Sequence, residues 1–519
     1  MAMVRTAAAL AIGLLCPRLV FAATIAVGAG GNLQAAIDAA QPGDTILVDP
    51  TGTFDGPFTL RAKNGALDIV IRSAAADATL PAPGQRIDPS YAALLPDIRA
   101  TTAGPAMKTA AGATRWVLRF LEFLPVSSSA TANLVELGAA NATQSTLTTV
   151  PLHLRIDRCY LHGDAINGQR RGVALNSGAT QIVDSYFKDF KAVTQDSQAI
   201  AGWNGPGPFL IENNYLEAAG ENILFGGGDP RIPNLVPSDI VIRRNLITKP
   251  TAWMAQSWTV KNLVELKNAQ RVLLEGNIIE NNWASGQQGY SILCTPRNQG
   301  GTAPWTVVRD VIVRSNVIRH VAAAFNIAGY DDLAMSQQTE NIQIRNNLIF
   351  DVSTAWATPN HPANGRLAVI GGGPRNVAFD HNTVDSDGSA TIFLYGGFSR
   401  TGTAIVGFEL TNNLLRDNLY GLYGDNVGKG TAALNAYAPN AIVLRNTFAG
   451  GAASQYPTGN DFPTLSQWQG DFVNYAAHDY HLKPTSPSKH SGTDGTDLGV
   501  DFVTLEAAMN PLVRMPPIP

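Results

Sequence analysis

The chain has 519 residues, of which 15% are charged and 45% are hydrophobic. This share of apolar residues supports a large core and excludes wholesale disorder. Lysine and arginine number 37 against 41 acidic residues, a formal net charge of −4, so the composition argues against a nucleic-acid-binding surface.

Residues 1–22 have the pattern of a cleaved export signal. Arg5 supplies a positive charge, Ala7 to Leu15 form an apolar run of suitable length, and Val20 and Ala22 stand where a signal peptidase reads. The apolar run is too short to span a bilayer. We therefore predict an exported protein, secreted or periplasmic, with no membrane span.

The first predicted element after this signal is a short helix. Asn32 precedes the amphipathic segment LQAAIDAA, and the turn residues Pro42 and Gly43 follow it. We expect this helix to cover the open N-terminal end of the repeat that follows and to protect an exposed sheet edge.

The strongest pattern is a repeat of short β-rich segments such as VIRRNLI (241–247). One aligned position holds Cys159, Ser185 and then asparagine eight times, at spacings from 26 residues (159 to 185) to 39 residues (277 to 316). The asparagines are Asn214, Asn245, Asn277, Asn316, Asn347, Asn382, Asn413 and Asn446. Asparagine tolerates the left-handed backbone of a tight turn, and its amide can hydrogen-bond the units above and below.

A third strand, such as YSILC (290–294), separates successive turns. Three strands per repeat predict an all-β fold: a right-handed parallel β-helix over residues 23–450, with about ten or more coils and an internal asparagine ladder. Cys159 and Cys294 would lie about four coils apart, roughly 19 Å, which is too far for a disulfide. Residues 451–519 lack the ladder and are predicted to form a loop-rich C-terminal cap.

Charged residues, scarce elsewhere, concentrate on the third strands. Alternation in NLVELK turns Glu265 and Lys267 outward, the preceding coil places Glu221 at a strand start, and the following coil presents Arg297. Because adjacent coils lie about 4.8 Å apart, we expect these four residues to meet on one patch; a solvated ion-pair face is the alternative. The polar residues expected to flank the patch are Lys261, Asn262, Asn268, Asn282, Gln287 and Asn298.

Six of the eight tryptophans lie between residues 203 and 356, beside long insertions. Trp203 and Trp283, together with Asn204, are candidates for a groove in which aromatic rings meet the apolar faces of sugars. Packing of loops onto the solenoid is the alternative. His320 is a further candidate for substrate binding, one coil beyond the patch.

The ladder, the segment QAAIDAAQPGDTILV and the segment DYHLKPTSP resemble exported bacterial right-handed β-helix proteins. Residues 219–300 are also similar to family 6 polysaccharide lyases, the chondroitinase B and alginate lyase type. Gly220-Glu221 resembles the first motif of that family, Glu265 and Lys267 the second, and Arg297 its arginine. The resemblance implies that Lys267 is the base, that Arg297 assists, and that Glu221 and Glu265 help to hold Ca²⁺.

Three functions are compatible with these residues. The leading hypothesis is a monomeric polysaccharide lyase that cleaves an acidic, uronate-containing polysaccharide by β-elimination with Lys267 and Arg297. A glycoside hydrolase would instead use Glu221 and Glu265 as paired carboxylates, with Asp196, Glu217 and Asp331 as further candidates. A non-catalytic solenoid that binds glycans is the third possibility.

Overall fold

Short strands and tight turns stack into a right-handed parallel β-helix in the computed structural model, which describes residues 22–126, 132–397 and 403–509. The predicted export signal lies, except for Ala22, outside the described residues. Each coil contributes one strand to each of three long sheets, so the predicted fold is confirmed. Inward-facing aliphatic side chains of successive coils form one continuous core along the solenoid.

The first sheet has 14 strands within the described residues, all parallel. They are Thr24–Val27, Thr45–Val48, Ile69–Ser73, Trp116–Arg119, Arg155–Asp157, Thr180–Val183, Phe209–Glu212, Ser238–Arg243, Ala269–Glu275, Val308–Arg314, Glu340–Arg345, Arg375–Asp380, Val406–Thr411 and Ile442–Leu444. The second sheet follows it across the asparagine turns. Its strands are Thr53–Asp55, Asp97–Ala100, Glu122–Pro125, Tyr160–His162, Tyr186–Phe190, Tyr215–Ala218, Leu246–Thr248, Ile278–Asn282, Val317–Val321, Leu348–Val352, Thr383–Ser386, Leu414–Arg416 and Thr447–Ala449.

The third sheet completes each coil and carries the charged residues singled out above. Its strands are Phe58–Leu60, Met107–Thr109, Asn133–Leu137, Arg171–Leu175, Gln198–Gly202, Glu221–Phe225, Val264–Leu266, Tyr290–Cys294, Ala323–Ala328, Arg366–Gly371, Ala390–Tyr395, Gly421–Gly424 and the antiparallel Gly428–Lys429. A separate antiparallel pair joins Phe472–Asn474 to Asp479–Leu482. The α-helices of the described residues are Leu33–Ala39, Thr431–Tyr437, Leu465–Gly470 and Phe502–Met509.

The asparagine ladder forms as predicted, although the left-handed residue is a different one. The Nδ2 of Asn214 donates to Oδ1 of Asn245 at 3.0 Å, and the same bond repeats from coil to coil up to Asn446, which donates to Asn460. We expected the ladder residue itself to be left-handed. Instead a positive φ belongs to the residue before it, as at Asn213 (53°). The ladder residue is thereby turned inward, where its amide replaces water as a partner of buried backbone groups.

Cys159 and Cys294 are buried and free, which confirms that they do not pair. The predicted N-terminal helix spans Leu33–Ala39, and the side chain of Asn32 accepts a hydrogen bond from the backbone N–H of Ala35. Its buried residues join the main core beside the first strands.

The C-terminal segment does more than follow the last coil. Trp468, Tyr480 and Met509 belong to one buried cluster with Ile278 and Ala449, which lie on the second-sheet strands Ile278–Asn282 and Thr447–Ala449. The segment predicted as a cap therefore runs back along the side of the solenoid.

Candidate functional site

Two glutamates lie on neighbouring strands of the third sheet. Glu221 begins the strand Glu221–Phe225, and Glu265 lies in the middle of the next strand, Val264–Leu266. Because Leu224 is the residue that pairs with Glu265, Glu221 is offset from that position by three residues. The carboxylates thus belong to adjacent coils, as predicted, at different heights along the strands.

Lys267 lies two residues after Glu265, directly beyond the end of the strand Val264–Leu266. Its Nζ lies 3.5 Å from Oε2 of Glu265 and donates a hydrogen bond to Oγ1 of Thr295 at 2.8 Å. The other carboxylate oxygen of Glu265 accepts a short hydrogen bond from the side-chain amide of Asn262. The Lys267 side chain keeps 19% of its surface exposed, whereas Glu265 keeps 4%. The lysine can therefore meet a ligand, while the glutamate chiefly orients it.

Arg297 lies beside Lys267, since its backbone N–H donates to the Lys267 carbonyl at 2.9 Å. Its guanidinium binds Oδ1 of Asp331 at 2.9 Å and is 28% exposed. The buried carboxylate of Asp331 also accepts from the backbone N–H of Asn298 at 2.8 Å. Asp331, which we considered only as a reserve carboxylate, thus fixes the arginine next to the lysine.

Glu221 belongs to a second ionic group. Its Oε2 accepts a hydrogen bond from Gln198 at 2.8 Å, and its Oε1 lies 3.7 Å from Nζ of Lys261. The same Nζ lies 2.7 Å from Oδ1 of Asp196. Burial, and after it the carboxylates of Glu265 and Asp196, raise the pKa of Glu221 to about 8. Burial lowers the pKa of Lys261 while the carboxylates of Glu221 and Asp196 raise it, and the balance leaves it above its ordinary value. We call Asp196, Glu221, Lys261, Glu265, Lys267 and Arg297 the charged patch.

A buried lysine that the sequence analysis missed lies beneath the patch. Nζ of Lys249 donates to Oδ1 of Asn222 and to the backbone carbonyls of Ala218, Gly220 and Asn262 at 2.9–3.0 Å. Burial lowers its pKa to about 7, opposed by the negative charges of Glu221 and Glu265. Lys249 therefore holds together the backbone segments that carry both glutamates. No local motif marks it, because most of its partners lie in the preceding coil, 27 to 31 residues earlier in the chain.

Most of the amides expected around the patch, and Asn204 of the expected groove, are structural. Asn204, Asn268, Asn282 and Asn298 are at least 98% buried, and their side chains hydrogen-bond backbone groups of the loops. They hold the loops in place and have no surface to offer a sugar. Gln287 differs from them: it is exposed, and its Oε1 accepts a hydrogen bond from Asn262 at 2.6 Å, so it stays at the site.

The predicted tryptophan groove is replaced by a packed cluster. Trp283 is 1% exposed and packs with Trp253 and, at the edge of the cluster, with Trp258 and Trp356. Its ring is therefore closed to substrate in this conformation. Trp203 is half-buried on the third-sheet side, with the Arg171 guanidinium 5.5 Å from its ring centre.

His320 does not reach the charged patch. It lies on the second-sheet strand Val317–Val321, whereas the patch lies on the third sheet. Its Nδ1 pairs with Oδ2 of Asp351 at 2.7 Å, and its ring lies 5.9 Å from that of Trp356. His320 lies four residues after the ladder residue Asn316 and so belongs to the second sheet; its role in substrate binding stays a prediction.

A small pocket of about 280 Å³ opens next to Glu265 on the same face. Its wall includes Tyr290, Leu293, Asn326 and His361, together with Gln287 from the charged-patch side. Glu265, Leu293 and Asn326 occupy equivalent positions on three successive strands of the third sheet. The pocket therefore lies over the two coils that follow Glu265. Hydroxyl-rich ligands suit such a lining, in which amide and imidazole groups surround an apolar floor. Larger cavities lie on the first sheet and under the C-terminal segment, away from the patch.

The glutamates as placed do not fit a calcium site. Calcium takes six to eight oxygen ligands at about 2.3–2.6 Å. Both oxygens of Glu221 and both oxygens of Glu265 already face side-chain N–H donors, and on each glutamate one of these donors is an ammonium group. In the part of the chain that the structure describes, no group of three or more His, Cys, Asp or Glu side chains could hold a metal ion.

No protein-family model matches the sequence, and no curated protein matches it. Solved structures do resemble the chain. An arginine-to-alanine mutant of the PL6 family alginate lyase AlyGC has a TM-score of 0.52 at 12% identity, over 95% of this chain and 59% of that one. A mannuronic acid specific family 6 lyase from human gut microbiota (0.49, 12%, 86% and 93%) and a PL6 alginate lyase in complex with a trisaccharide (0.49, 12%, 85% and 88%) are also similar. The similarity shows a shared parallel β-helix fold.

Among the helices of residues 22–126, 132–397 and 403–509, none has the length and apolar character needed to cross a membrane.

Proposed function

We propose that the protein is a polysaccharide lyase that cleaves a uronate-containing polysaccharide by β-elimination at the charged patch. The observation that carries the proposal is the pairing of Lys267 and Arg297 on adjacent coils, joined by a backbone hydrogen bond and both partly exposed. A base next to a carboxylate-binding cation is the minimum that β-elimination requires. The AlyGC-like fold favours a uronate polymer as the substrate, and the export signal is part of the same proposal.

The reaction divides between the two side chains. The guanidinium of Arg297, held by Asp331, binds the uronate carboxylate through its planar fork and draws negative charge toward it. The side-chain amine of Lys267 takes the proton from the carbon α to that carboxylate. The electron pair left on that carbon forms a double bond to the next ring carbon, the glycosidic C–O bond breaks, and the leaving oxygen takes up a proton from water. Glu265 positions the lysine, and the pocket beside it holds a neighbouring sugar residue.

A specific observation also favours a second function. Burial raises the pKa of Glu221 to about 8, and a raised carboxyl pKa is what a general acid of a glycoside hydrolase needs. Its burial, at 2% exposure, weighs against this role.

One experiment separates these functions. The purified protein is incubated with uronate polymers and with neutral polysaccharides, and reducing ends are followed together with the ultraviolet absorbance of an unsaturated uronate. We expect both signals to rise on a uronate polymer. Reducing ends without the absorbance would replace the lyase with the hydrolase. Binding of a uronate polymer with neither signal would leave a glycan-binding solenoid.

A further inference from the structure

An ammonium group lies inside the acidic part of the charged patch. Nζ of Lys261 is 2.7 Å from Asp196 and 3.7 Å from Glu221, and these contacts join loop residue 196 to the strand start at 221. The Lys261 side chain is 19% exposed, so the ion pairs are partly shielded from solvent. Such pairs are stronger than pairs on an open surface, because less water screens them.

The backbone holds this lysine in place. The Lys261 N–H donates to the carbonyl of Ala219, two residues before Glu221, and the carbonyl of the next residue, Asn262, receives a hydrogen bond from the buried Lys249. Val260, on the other side, is buried in the tryptophan cluster and accepts a hydrogen bond from Gly286. The ammonium group therefore extends from an anchored segment toward the carboxylates.

Each carboxylate of this group faces an ammonium group of the chain itself. Glu221 faces the ammonium of Lys261, Glu265 faces the ammonium of Lys267, and Asp196 shares Lys261. A divalent cation placed among these carboxylates would meet two ammonium groups at short range. The resemblance to family 6 lyases implies a calcium ion at this place, and the donor set does not fit one.

We propose that Lys261 takes the place of a divalent cation, so that the charged patch is neutralised by the chain itself and needs no calcium for its structure. The lysine charge holds Asp196 and Glu221 together as a bound cation would. This inference concerns the charges alone and holds whichever reaction the site performs. Only its consequence for activity, namely that a chelator leaves catalysis unchanged, rests on the proposed lyase function.

The test compares thermal unfolding in millimolar calcium chloride with unfolding in a chelator, without substrate. For the wild type we expect the same Tm in both conditions. For Lys261→Met, which removes the charge but keeps much of the side chain, we expect a lower Tm in the chelator and a rise on adding calcium. Lys261→Arg, the matched control that keeps the charge, should again show no response to calcium.

Each outcome decides the matter. A wild-type Tm that rises with calcium would overturn the proposal, since the native site would then bind the ion. A Lys261→Met variant that responds no more than the wild type would overturn it too, because the lysine would not be what fills that place. The variant is also refolded with and without calcium: rescue of folding by calcium supports the proposal, and failure in both conditions overturns it. None of these readouts uses catalysis, so a failed lyase assay leaves them unaffected.

Discussion

Nζ of Lys267 lies 3.5 Å from Oε2 of Glu265, a residue two positions earlier in the chain and part of the third sheet. The glutamate is nearly covered and the lysine is not, so the pair places one accessible amine at a fixed position. This relationship gives the most direct test of the proposed chemistry.

Replacing Lys267 with Met should abolish formation of the unsaturated product. The loss of a general base typically costs about 10²- to 10⁴-fold in rate, and absorbance on a uronate polymer measures it. Lys188→Met, which removes a lysine that is 42% exposed on the second sheet, is the control. Retention of full activity in Lys267→Met would remove this residue from the mechanism.

Asp331→Asn should weaken the enzyme through Arg297. The change keeps the size of the side chain but removes the charge that holds the guanidinium at 2.9 Å. A hydrogen bond to a charged group contributes about 1.5–3 kcal/mol, so we expect kcat/KM to fall roughly ten- to hundredfold. Arg297→Lys, which keeps the charge but lacks the fork, should raise KM in a similar way. A fall in activity that is fully explained by unfolding of the variant, as its lowered Tm would show, would indicate a purely structural role for Asp331.

Asn326→Ala and His361→Ala should raise KM with little change in kcat for short substrates. Both residues line the pocket beside Glu265, outside the pair that performs the proposed chemistry. The loss of a neutral hydrogen bond corresponds to about 0.5–1.5 kcal/mol, or roughly two- to tenfold in KM. His490→Ala, at a histidine whose side chain is 83% exposed elsewhere, is the matched control. An unchanged KM would place the sugar chain on another part of the sheet.

Asn316→Leu should destabilise the solenoid from its middle. The Asn316 amide donates to Asn347 and to the Leu274 carbonyl, and it accepts from Asn277, so its loss leaves buried partners unpaired on both sides. Each such group costs about 1–3 kcal/mol, and we expect a clear fall in Tm. Asn474→Ala, at an exposed asparagine outside the ladder, should change Tm little.

His381 should make stability depend on pH. Burial lowers the pKa of His381, but the carboxylates of Asp380 and Asp494 raise it by more than burial lowers it. The pKa in the folded protein therefore lies above the ordinary 6.5. A raised pKa stabilises the fold below about pH 6.5, and this contribution is lost as the pH rises through the folded value. The Tm advantage of the wild type over His381→Gln should therefore shrink as the pH rises above about 6.5. A constant difference in Tm would contradict the assignment.

The fold could be predicted because its determinants recur at a fixed register. A ladder asparagine marks each turn from Asn214 to Asn446, and alternation within NLVELK places Glu265 outward. The same register predicted that Glu265, Lys267 and Arg297 lie on neighbouring coils, whereas the ion pair of Asp196 with Lys261 was not predicted. The left-handed residue could not be assigned in the same way, because that position is held by several residue types, including Arg244 and Ser315.

Features that depend on contacts between distant loops escaped prediction. Lys249 binds four acceptors whose positions follow only from the wound coils. Burial of Trp283 depends on how three insertions pack against one another, which spacing alone does not encode. The pocket near His361 was missed for the same reason, although the insertion around residues 357–364 was a visible signal of a loop on that side.

The course of the C-terminal segment has a mechanical consequence. In a solenoid each coil touches only its neighbours, so the ends can peel away one coil at a time. Here residues 465–509 pack on Ile278 and Ala449, whose strands lie five positions apart in the second sheet. The segment links these coils to one another. None of them can detach until the whole C-terminal segment has left the surface of the second sheet. Unfolding of this half of the molecule should accordingly be a single abrupt event.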